Sequence, residues 1–258
     1  MMTKKPLIFV TNDDGITAPG IRALIEVMNK LGDVVVVAPD RGQSGKGHSI
    51  TMHQPLHLDP VIVNGGPQKE FKVNGTPVDS VKLGLARVVN RKPDLLVSGI
   101  NHGLNNSISV LYSGTMGAAI EGSIEGIPSI GFSLDNYDWE VDLNAAQFYV
   151  EKIAKQVLQN GLPKGISLNV NFPYVELQQI KGIKIARQAM NRWRENYDKR
   201  TTPFGKDYYW PNGSFTTEDK RNDTDAFFLK QNYVTIVPVQ FDLTAYNSFN
   251  NLKSLEEE

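Results

Sequence analysis

Two adjacent carboxylates, Asp13 and Asp14, are the residues of this chain best suited to chemistry. They follow a short apolar run at residues 7–10 and stand between Asn12 and Gly15. Neighbouring carboxylates repel each other, and a hard divalent cation, which prefers oxygen ligands, removes that repulsion. Open α/β sheets bind ligands at the carboxyl ends of their strands. Asn, Asp and Gly are also ordinary turn residues, so other parts of the chain must decide between a site and a turn.

Two later loops offer further oxygen donors, the hydroxyl of Ser44 and the side-chain amide of Asn101. Each loop follows an apolar run that is typical of a strand covered on both faces. Because the carboxyl ends of parallel strands meet at one edge of a sheet, we expect these donors to converge with Asp13 and Asp14. Such an all-oxygen set suits Mg²⁺, Mn²⁺ or Ca²⁺ and does not suit zinc. Among the histidines, only His102 has a position from which it could donate a proton to a substrate.

Two stretches of the chain are suited to binding a phosphate. Gly45 and its neighbouring glycines allow backbone N–H groups to approach an anion closely. Ser113 or Thr115 can cap the helix that follows, and the N-terminus of a helix favours negative charge, although capping alone explains both residues. A metal ion beside such groups suggests hydrolysis of a phosphomonoester, with Asp13 or Asp14 orienting or deprotonating the attacking water.

The composition limits the possible classes of protein. The chain has 258 residues and 40% hydrophobic content, enough for one large core or for a core with an appended lobe. A formal net charge of −1 predicts no strong attraction to nucleic-acid polymers or membranes. The absence of cysteine excludes thiol catalysis and disulfides. No apolar run reaches the length of a membrane span and no signal peptide is recognisable, so we expect a cytoplasmic protein.

The order of apolar patterns predicts an α/β fold with a mostly parallel sheet and helices on both faces. The predicted strands are residues 7–10, 34–37, 93–97, 128–133 and 165–170, and the predicted helices are residues 21–32, 77–89, 115–125 and 143–158. The character of the chain changes after residue 173. Residues 174–230 are polar and aromatic, which favours hairpins or extended excursions, and one more strand is predicted at about 233–238.

Taken together, these motifs resemble the SurE family (survival protein E), and the matching stretches span nearly the whole chain in order. They are Val10-Thr11-Asn12-Asp13-Asp14-Gly15-Ile16, Ala38-Pro39-Asp40, Gly47-His48-Ser49-Ile50-Thr51, Asn74-Gly75-Thr76-Pro77, Ser98-Gly99-Ile100-Asn101-His102-Gly103, Leu111-Tyr112-Ser113-Gly114-Thr115, Gly117-Ala118-Ala119, Leu168-Asn169-Val170-Asn171-Phe172-Pro173, Tyr208-Tyr209-Trp210, Thr224-Asp225, and Tyr233-Val234 through Pro238.

The resemblance implies a Rossmann-like core and a metal-dependent phosphatase of nucleoside 5′- and 3′-monophosphates, with exopolyphosphatase activity in some members. It implies one divalent ion, Mg²⁺ or Mn²⁺, and a homodimer or homotetramer joined by extended arms. Residues 1–173 would form the metal- and nucleotide-binding core, and residues 174–258 the oligomerisation arm, the returning core strand and the tail. The implied metal ligands are Asp13, Asp14, Ser44 and Asn101, and the predicted substrate- and phosphate-binding residues are Asn12, Gly45, Asn105, Ser113, Gly114 and Thr115.

Two positions depart from the family pattern, because Ser107 and Asn232 stand where the family often has glycine. We expect the first change to alter the shape of a loop near the site, whereas asparagine tolerates left-handed backbone angles.

Three other functions are compatible with parts of the pattern. A receiver domain also has paired acids after its first strand, but it needs an Asp where this chain has Ser98-Gly99. A haloacid-dehalogenase-type phosphatase needs two Asp residues separated by one residue, whereas Asp13 and Asp14 are adjacent. A non-catalytic nucleotide-binding module on the same sheet remains the alternative to an enzyme.

Overall fold

Continuous apolar runs form the central strands of the protein. The computed structural model describes residues 5–256, and in it the four valines at 34–37 are all buried within one strand. The strands are β1 (Leu7–Thr11), β2 (Asp33–Pro39), β3 (Leu58–Val61), β4 (Lys69–Val73), β5 (Leu95–His102), β6 (Ser129–Leu134), β7 (Ile166–Phe172), β8 (Ile183–Ile185), β9 (Trp193–Thr201), β10 (Asp207–Phe215) and β11 (Val234–Gln240). The helices are α1 (Pro19–Leu31), α2 (Pro77–Arg87), α3 (Gly114–Ile124), α4 (Asn144–Asn160), α5 (Asp225–Leu229) and α6 (Phe249–Leu252), with short 3-10 turns between them.

Nine of these strands form one sheet in the order β3-β4-β2-β1-β5-β6-β7-β11-β8. The five strands from β2 to β7 in this order are parallel to their neighbours, so their carboxyl ends open at the same edge. The predicted α/β fold class with a mostly parallel sheet is therefore confirmed.

Helices cover both faces of the sheet and enclose two apolar cores. On one face α1 and α4 pack together, and their buried stripes include Leu24, Met28 and Val150. On the other face α2 and α3 pack together, with Val81 and Ala118 in the smaller core. The helices thus support the sheet, and with it the residues at its carboxyl edge, from both sides. None of the helices within residues 5–256 is both long enough and apolar enough to cross a lipid bilayer.

The structure differs from the sequence-based prediction in several places. The short strand β8, which pairs with β11 at the edge of the main sheet, lies where only hairpins or extended excursions were predicted. The pair β3 and β4 was not predicted, because its strands are short and mix charged residues with apolar ones. The predicted end of β5 at residue 97 is wrong, since this strand continues to His102 through an irregularity between Ser98 and Asn101. A Ser-Gly pair is typical of a loop, but here the pairing with β6 keeps it in the sheet. Asn101 consequently lies on a strand.

Residues beyond 173 leave the core sheet and return to it. The strands β9 and β10 form a long antiparallel hairpin in which every residue of β9 is exposed. The strand β11 then enters the main sheet antiparallel to β7. The tight turn before β11 uses Asn232 at a φ of 64°, a left-handed conformation that asparagine tolerates.

Candidate functional site

The carboxyl edge of the sheet brings the paired acids together with residues from three other parts of the chain. The loop after β2 is held against β1, because the backbone N–H of Gln43 donates to the carbonyl of Asp13 at 2.7 Å. Ser44, the next residue, is exposed beside this contact. Asn101 lies on β5, the neighbour of β1 on its other side.

Asp13 is buried against the first turn of α3. Its Oδ1 accepts a hydrogen bond of 2.5 Å from the hydroxyl of Thr115. A Cβ added to Gly114 would lie 2.8 Å from the Cβ of Asp13 and 3.0 Å from its Oδ2, so only glycine fits there. Burial, together with the charge of Asp14, raises the pKa of the Asp13 carboxyl to about 6. The raised pKa means that ionising Asp13 costs free energy here, and a nearby cation would remove that cost.

The N-terminus of α3 already holds an anion, the carboxylate of Asp13. The backbone N–H of Thr115 contacts that carboxylate, and the N–H of Met116 is capped by the hydroxyl of Ser113 at 3.0 Å. The prediction that Ser113 or Thr115 caps this helix is thus confirmed for Ser113. Of the first three N–H groups of α3, only that of Gly114 is left to face a bound phosphate.

Asp14 is positioned by His102 from the end of β5. Oδ2 of Asp14 accepts from the backbone N–H of His102 at 3.2 Å and lies 3.3 Å from the ring Nδ1. The other ring nitrogen, Nε2, is buried without a partner among the described residues, and the ring stacks on Trp139 with centroids 6.0 Å apart. His102 therefore contacts a predicted metal ligand, which its place beside Asn101 in the sequence did not indicate.

Asn105 links the helix α3 to the two neighbouring strands. Its side-chain Nδ2 donates to Ser133 on β6 at 2.8 Å and lies 3.4 Å from the Thr115 hydroxyl. Its backbone N–H donates to Asn171 on β7, and its carbonyl accepts from Asn169. Sequence reasoning assigned no role to Ser133, Asn169 or Asn171. The alternation of Asn169 and Asn171 on a buried strand was a usable signal, because buried amides need partners.

The remaining predicted residues serve the shape of the loops. Asn12 is buried, and its Nδ2 donates to the carbonyl of Gly15 at 2.9 Å, so the Asn-Asp-Asp-Gly stretch is both a turn and part of the site. Gly45 is exposed at a φ of 73°. Among residues 5–256, the hydroxyl of Ser44 makes no hydrogen bond to the side chain of Asp13 or Asp14.

An ion at Asp13 and Asp14 would depend on neutral oxygen ligands. No three His, Cys, Asp or Glu side chains of residues 5–256 lie together as a metal-binding group. The side chain of Asn101 is suitable, because its Nδ2 donates to the carbonyl of Gly103 at 2.7 Å and its amide oxygen is the atom left to act as a ligand. The donor chemistry of the site thus fits a hard divalent cation.

Comparison with known proteins relates this arrangement to one family. The family model described as Survival protein SurE matches residues 8–195. A 5′-nucleotidase SurE from Flavobacterium johnsoniae is 55% identical over 254 residues, which is 98% of each chain. A protein of the same name from Bacteroides thetaiotaomicron is 44% identical and covers 98% of this chain and 96% of its own. The crystal structure of the SurE protein from Aquifex aeolicus matches with a TM-score of 0.85 at 39% identity, covering 98% of this chain and 100% of that one.

Proposed function

Because the chain belongs to the SurE family, we propose that it is a nucleotidase that releases phosphate from nucleoside 5′-monophosphates. The observation that carries the proposal is the pair of adjacent acids, in which Asp13 is buried against the N-terminus of α3 and Asp14 is half-buried beside it. The relatives named 5′-nucleotidase SurE match over nearly the full length of this chain, which supports the proposal. A carboxylate pair next to an anion-binding helix end is suited to phosphoryl chemistry.

The reaction depends on one divalent ion, Mg²⁺ or Mn²⁺, for which Asp13, Asp14, Ser44 and Asn101 supply oxygen ligands. The chemistry that this ion supplies when bound is polarisation of the phosphoryl group and neutralisation of its charge. The raised pKa of Asp13 and the donor set of the site support this assignment.

Other groups of the chain hold the substrate and position the side chains of Asp13 and Asp14. The N–H of Gly114 and the Gly-rich loop around Gly45 donate to phosphate oxygens. Thr115 fixes Asp13, and His102 fixes Asp14, through the hydrogen bonds described above. One of the two acids orients or deprotonates the attacking water, which requires a carboxylate within hydrogen-bond reach of that water.

The test is phosphate release from AMP by the full-length protein, with and without EDTA. We expect activity that EDTA abolishes and added Mn²⁺ or Mg²⁺ restores. Asp14→Asn should lower kcat by at least about 100-fold while thermal unfolding shows a folded protein, because a neutral amide is a weaker ligand. Asp40→Asn, a change at the end of β2, is a matched control. Nucleotide binding without any phosphate release would favour the non-catalytic module instead.

The same active site also acts on nucleoside 3′-monophosphates and on short polyphosphates. The site is at an open sheet edge, and the groups proposed to hold a substrate would contact its phosphate, which supports such breadth. The test is to measure phosphate release from a panel of 5′- and 3′-nucleotides and polyphosphates, each with Mg²⁺ and with Mn²⁺. Turnover of 5′-nucleotides alone would contradict this part of the proposal.

The hairpin of β9 and β10 joins copies of the chain into a homodimer or homotetramer. It carries exposed aromatic side chains, including Tyr197, Tyr209 and Trp210, which are 59%, 57% and 56% exposed. An isolated two-stranded hairpin is marginally stable in water, so a second copy that covers it would stabilise it. Deletion of residues 208–210 should lower the mass seen by light scattering, and an unchanged mass would contradict this role.

A further inference from the structure

A cavity separate from the paired acids opens beside the site at the same edge of the sheet. It has a volume of about 340 Å³, which lies in the lower range of small-molecule pockets. Its walls come from the loops after β5 and β6, the base of the β9–β10 hairpin, and α5. The side chains that matter for recognition are Asp135, Tyr137, Trp193 and Phe215.

The cavity adjoins the reaction site through one residue. Leu104 and Asn106 line it, and they flank Asn105 in the chain. The side chain of Asn105 lies 3.4 Å from the Thr115 hydroxyl, which in turn donates to Asp13 at 2.5 Å. Asn105 thus connects the wall of the cavity with the residues that hold Asp13.

The aromatic side chains that line the cavity are accessible to a ligand from solvent. Tyr137 is 78% exposed and Trp193 is 49% exposed. The ring of Tyr137 rests on Gly103, where an added Cβ would lie 2.4 Å from Cε1. Asp225 ties the hairpin base to the β5 loop, because its carboxylate accepts from the backbone N–H groups of Ser107 at 2.8 Å and Ala189 at 3.0 Å. These two hydrogen bonds connect the segment before the hairpin with the loop after β5, both of which contribute to the walls of the cavity.

We propose that this cavity binds the base of the nucleotide, with the base stacked on the aromatic side chains and its exocyclic amino group donating to the carboxylate of Asp135. This inference rests on the proposed nucleotidase function and names the substrate class that the site selects, nucleotides with an amino-bearing base. Every base has a flat face that stacks on an aromatic ring, and an acidic side chain accepts from an amino group. Guanine offers two adjacent donors to a carboxylate.

Another cavity, beside the loop after β2, has a different chemistry. It has a volume of about 620 Å³ and lies beside the β2 loop, on the other side of β1 from β5 and β6. Its lining includes Arg41, Lys46 and Asn74, and no Phe, Tyr or Trp is present among the described residues that form it. Stacking of a base is therefore favoured in the aromatic cavity.

The experiment compares GMP with IMP, which lacks only the 2-amino group, and with p-nitrophenyl phosphate, which lacks a nucleoside. All three are assayed with the full-length protein at pH 8, where carboxylates are ionised. We expect kcat/KM for GMP to exceed that for IMP by about 10-fold, the size of one hydrogen bond to a charged group. In Asp135→Asn this ratio should fall towards one.

Tyr137→Ala should lower the ratio of kcat/KM for GMP to that for p-nitrophenyl phosphate by about 10-fold, through KM, because a base loses its stacking partner. Phe148→Ala, which removes an exposed ring on α4 away from the cavity, is the matched control and should leave the ratio as it is.

Two results would overturn the proposal while the nucleotidase function stands: equal use of GMP and IMP by the unmodified protein, or unchanged ratios in both cavity variants. An unchanged ratio with a smaller assembly in Tyr137→Ala would assign the aromatic patch to a contact between subunits instead. No phosphate release from any of the three substrates would instead refute the nucleotidase function itself.

Discussion

Gly114→Ala tests whether the approach of α3 to Asp13 sets the geometry of the site. The new Cβ would lie 2.8 Å from the Cβ of Asp13 and 3.0 Å from Oδ2. Carbon atoms in contact are about 3.5–4.0 Å apart, so one of the two groups must move by about 1 Å. Asp13 is locked by its bond to Thr115, which leaves little freedom for its side chain to turn away. The carboxylate is therefore displaced from its position.

A misplacement of about 1 Å at a reacting group costs about 100-fold in rate. This corresponds to about 2.7 kcal/mol in the activation barrier. The effect on stability is smaller, because overpacking costs about 1–3 kcal/mol and alanine regains up to about 1 kcal/mol over glycine in a helix. We expect kcat for AMP to fall by about 100-fold while the melting temperature falls by a few degrees.

The assay is steady-state phosphate release from AMP with saturating Mn²⁺, together with thermal unfolding followed by circular dichroism. Ile124→Ala, at the far end of the same helix, is the control, since Ile124 is 46% exposed. Thr115→Val removes the hydrogen bond to Asp13 without adding bulk and should also lower kcat. A folded Gly114→Ala protein with kcat within threefold of the unmodified protein would refute the reasoning.

Three further predictions concern stability. In EDTA-treated protein, Asp13→Asn should raise the free energy of unfolding at pH 7.5 by up to about 3 kcal/mol. This gain is the free energy that corresponds to raising the carboxyl pKa from 3.8 to about 6 on folding, and the amide does not incur it. Because the folded pKa lies above the unfolded one, this penalty exists only for the ionised acid, and urea denaturation should show the gain vanishing as the pH falls from about 6 to about 4. Ser107→Gly should stabilise the protein by about 1 kcal/mol, because Ser107 has a φ of 56°, a left-handed conformation that is strained for serine. The control Ser109→Gly, at a residue with an ordinary φ, should not stabilise the protein. A loss of stability in Ser107→Gly would contradict the proposed backbone strain. Arg22→Met should lower the free energy of unfolding by about 3 kcal/mol or more in the same assay, because the buried Glu70, whose side chain is 3% exposed, would lose its 2.7 Å ion pair. A change below about 1 kcal/mol would show that the ion pair contributes little to stability.

The local pattern of residues was sufficient for most of the regular elements. The apolar runs at β1 and β2 and the stripe of α4 were correctly predicted, because burial on one or both faces leaves a direct trace in residue order. The pair β3 and β4 and the extension of β5 to His102 left no such trace. These strands exist because a neighbouring strand offers hydrogen-bond partners, which is a property of the assembled sheet.

The sequence by itself determined the kinds of atoms in the site and the edge of the sheet at which they meet. The types and order of Asp13, Asp14, Ser44 and Asn101 follow from the chain, and Asp13, Asp14 and Ser44 come after parallel strands, whereas Asn101 lies within β5. Only the tertiary structure decided what these groups contact. It gave the N-terminus of α3 to Asp13, paired Asp14 with His102 and set aromatic side chains from the hairpin base beside Asn105. Hydrogen bonds and burial between chain-distant residues depend on packing distances, and these become defined only when the helices and the sheet are in contact.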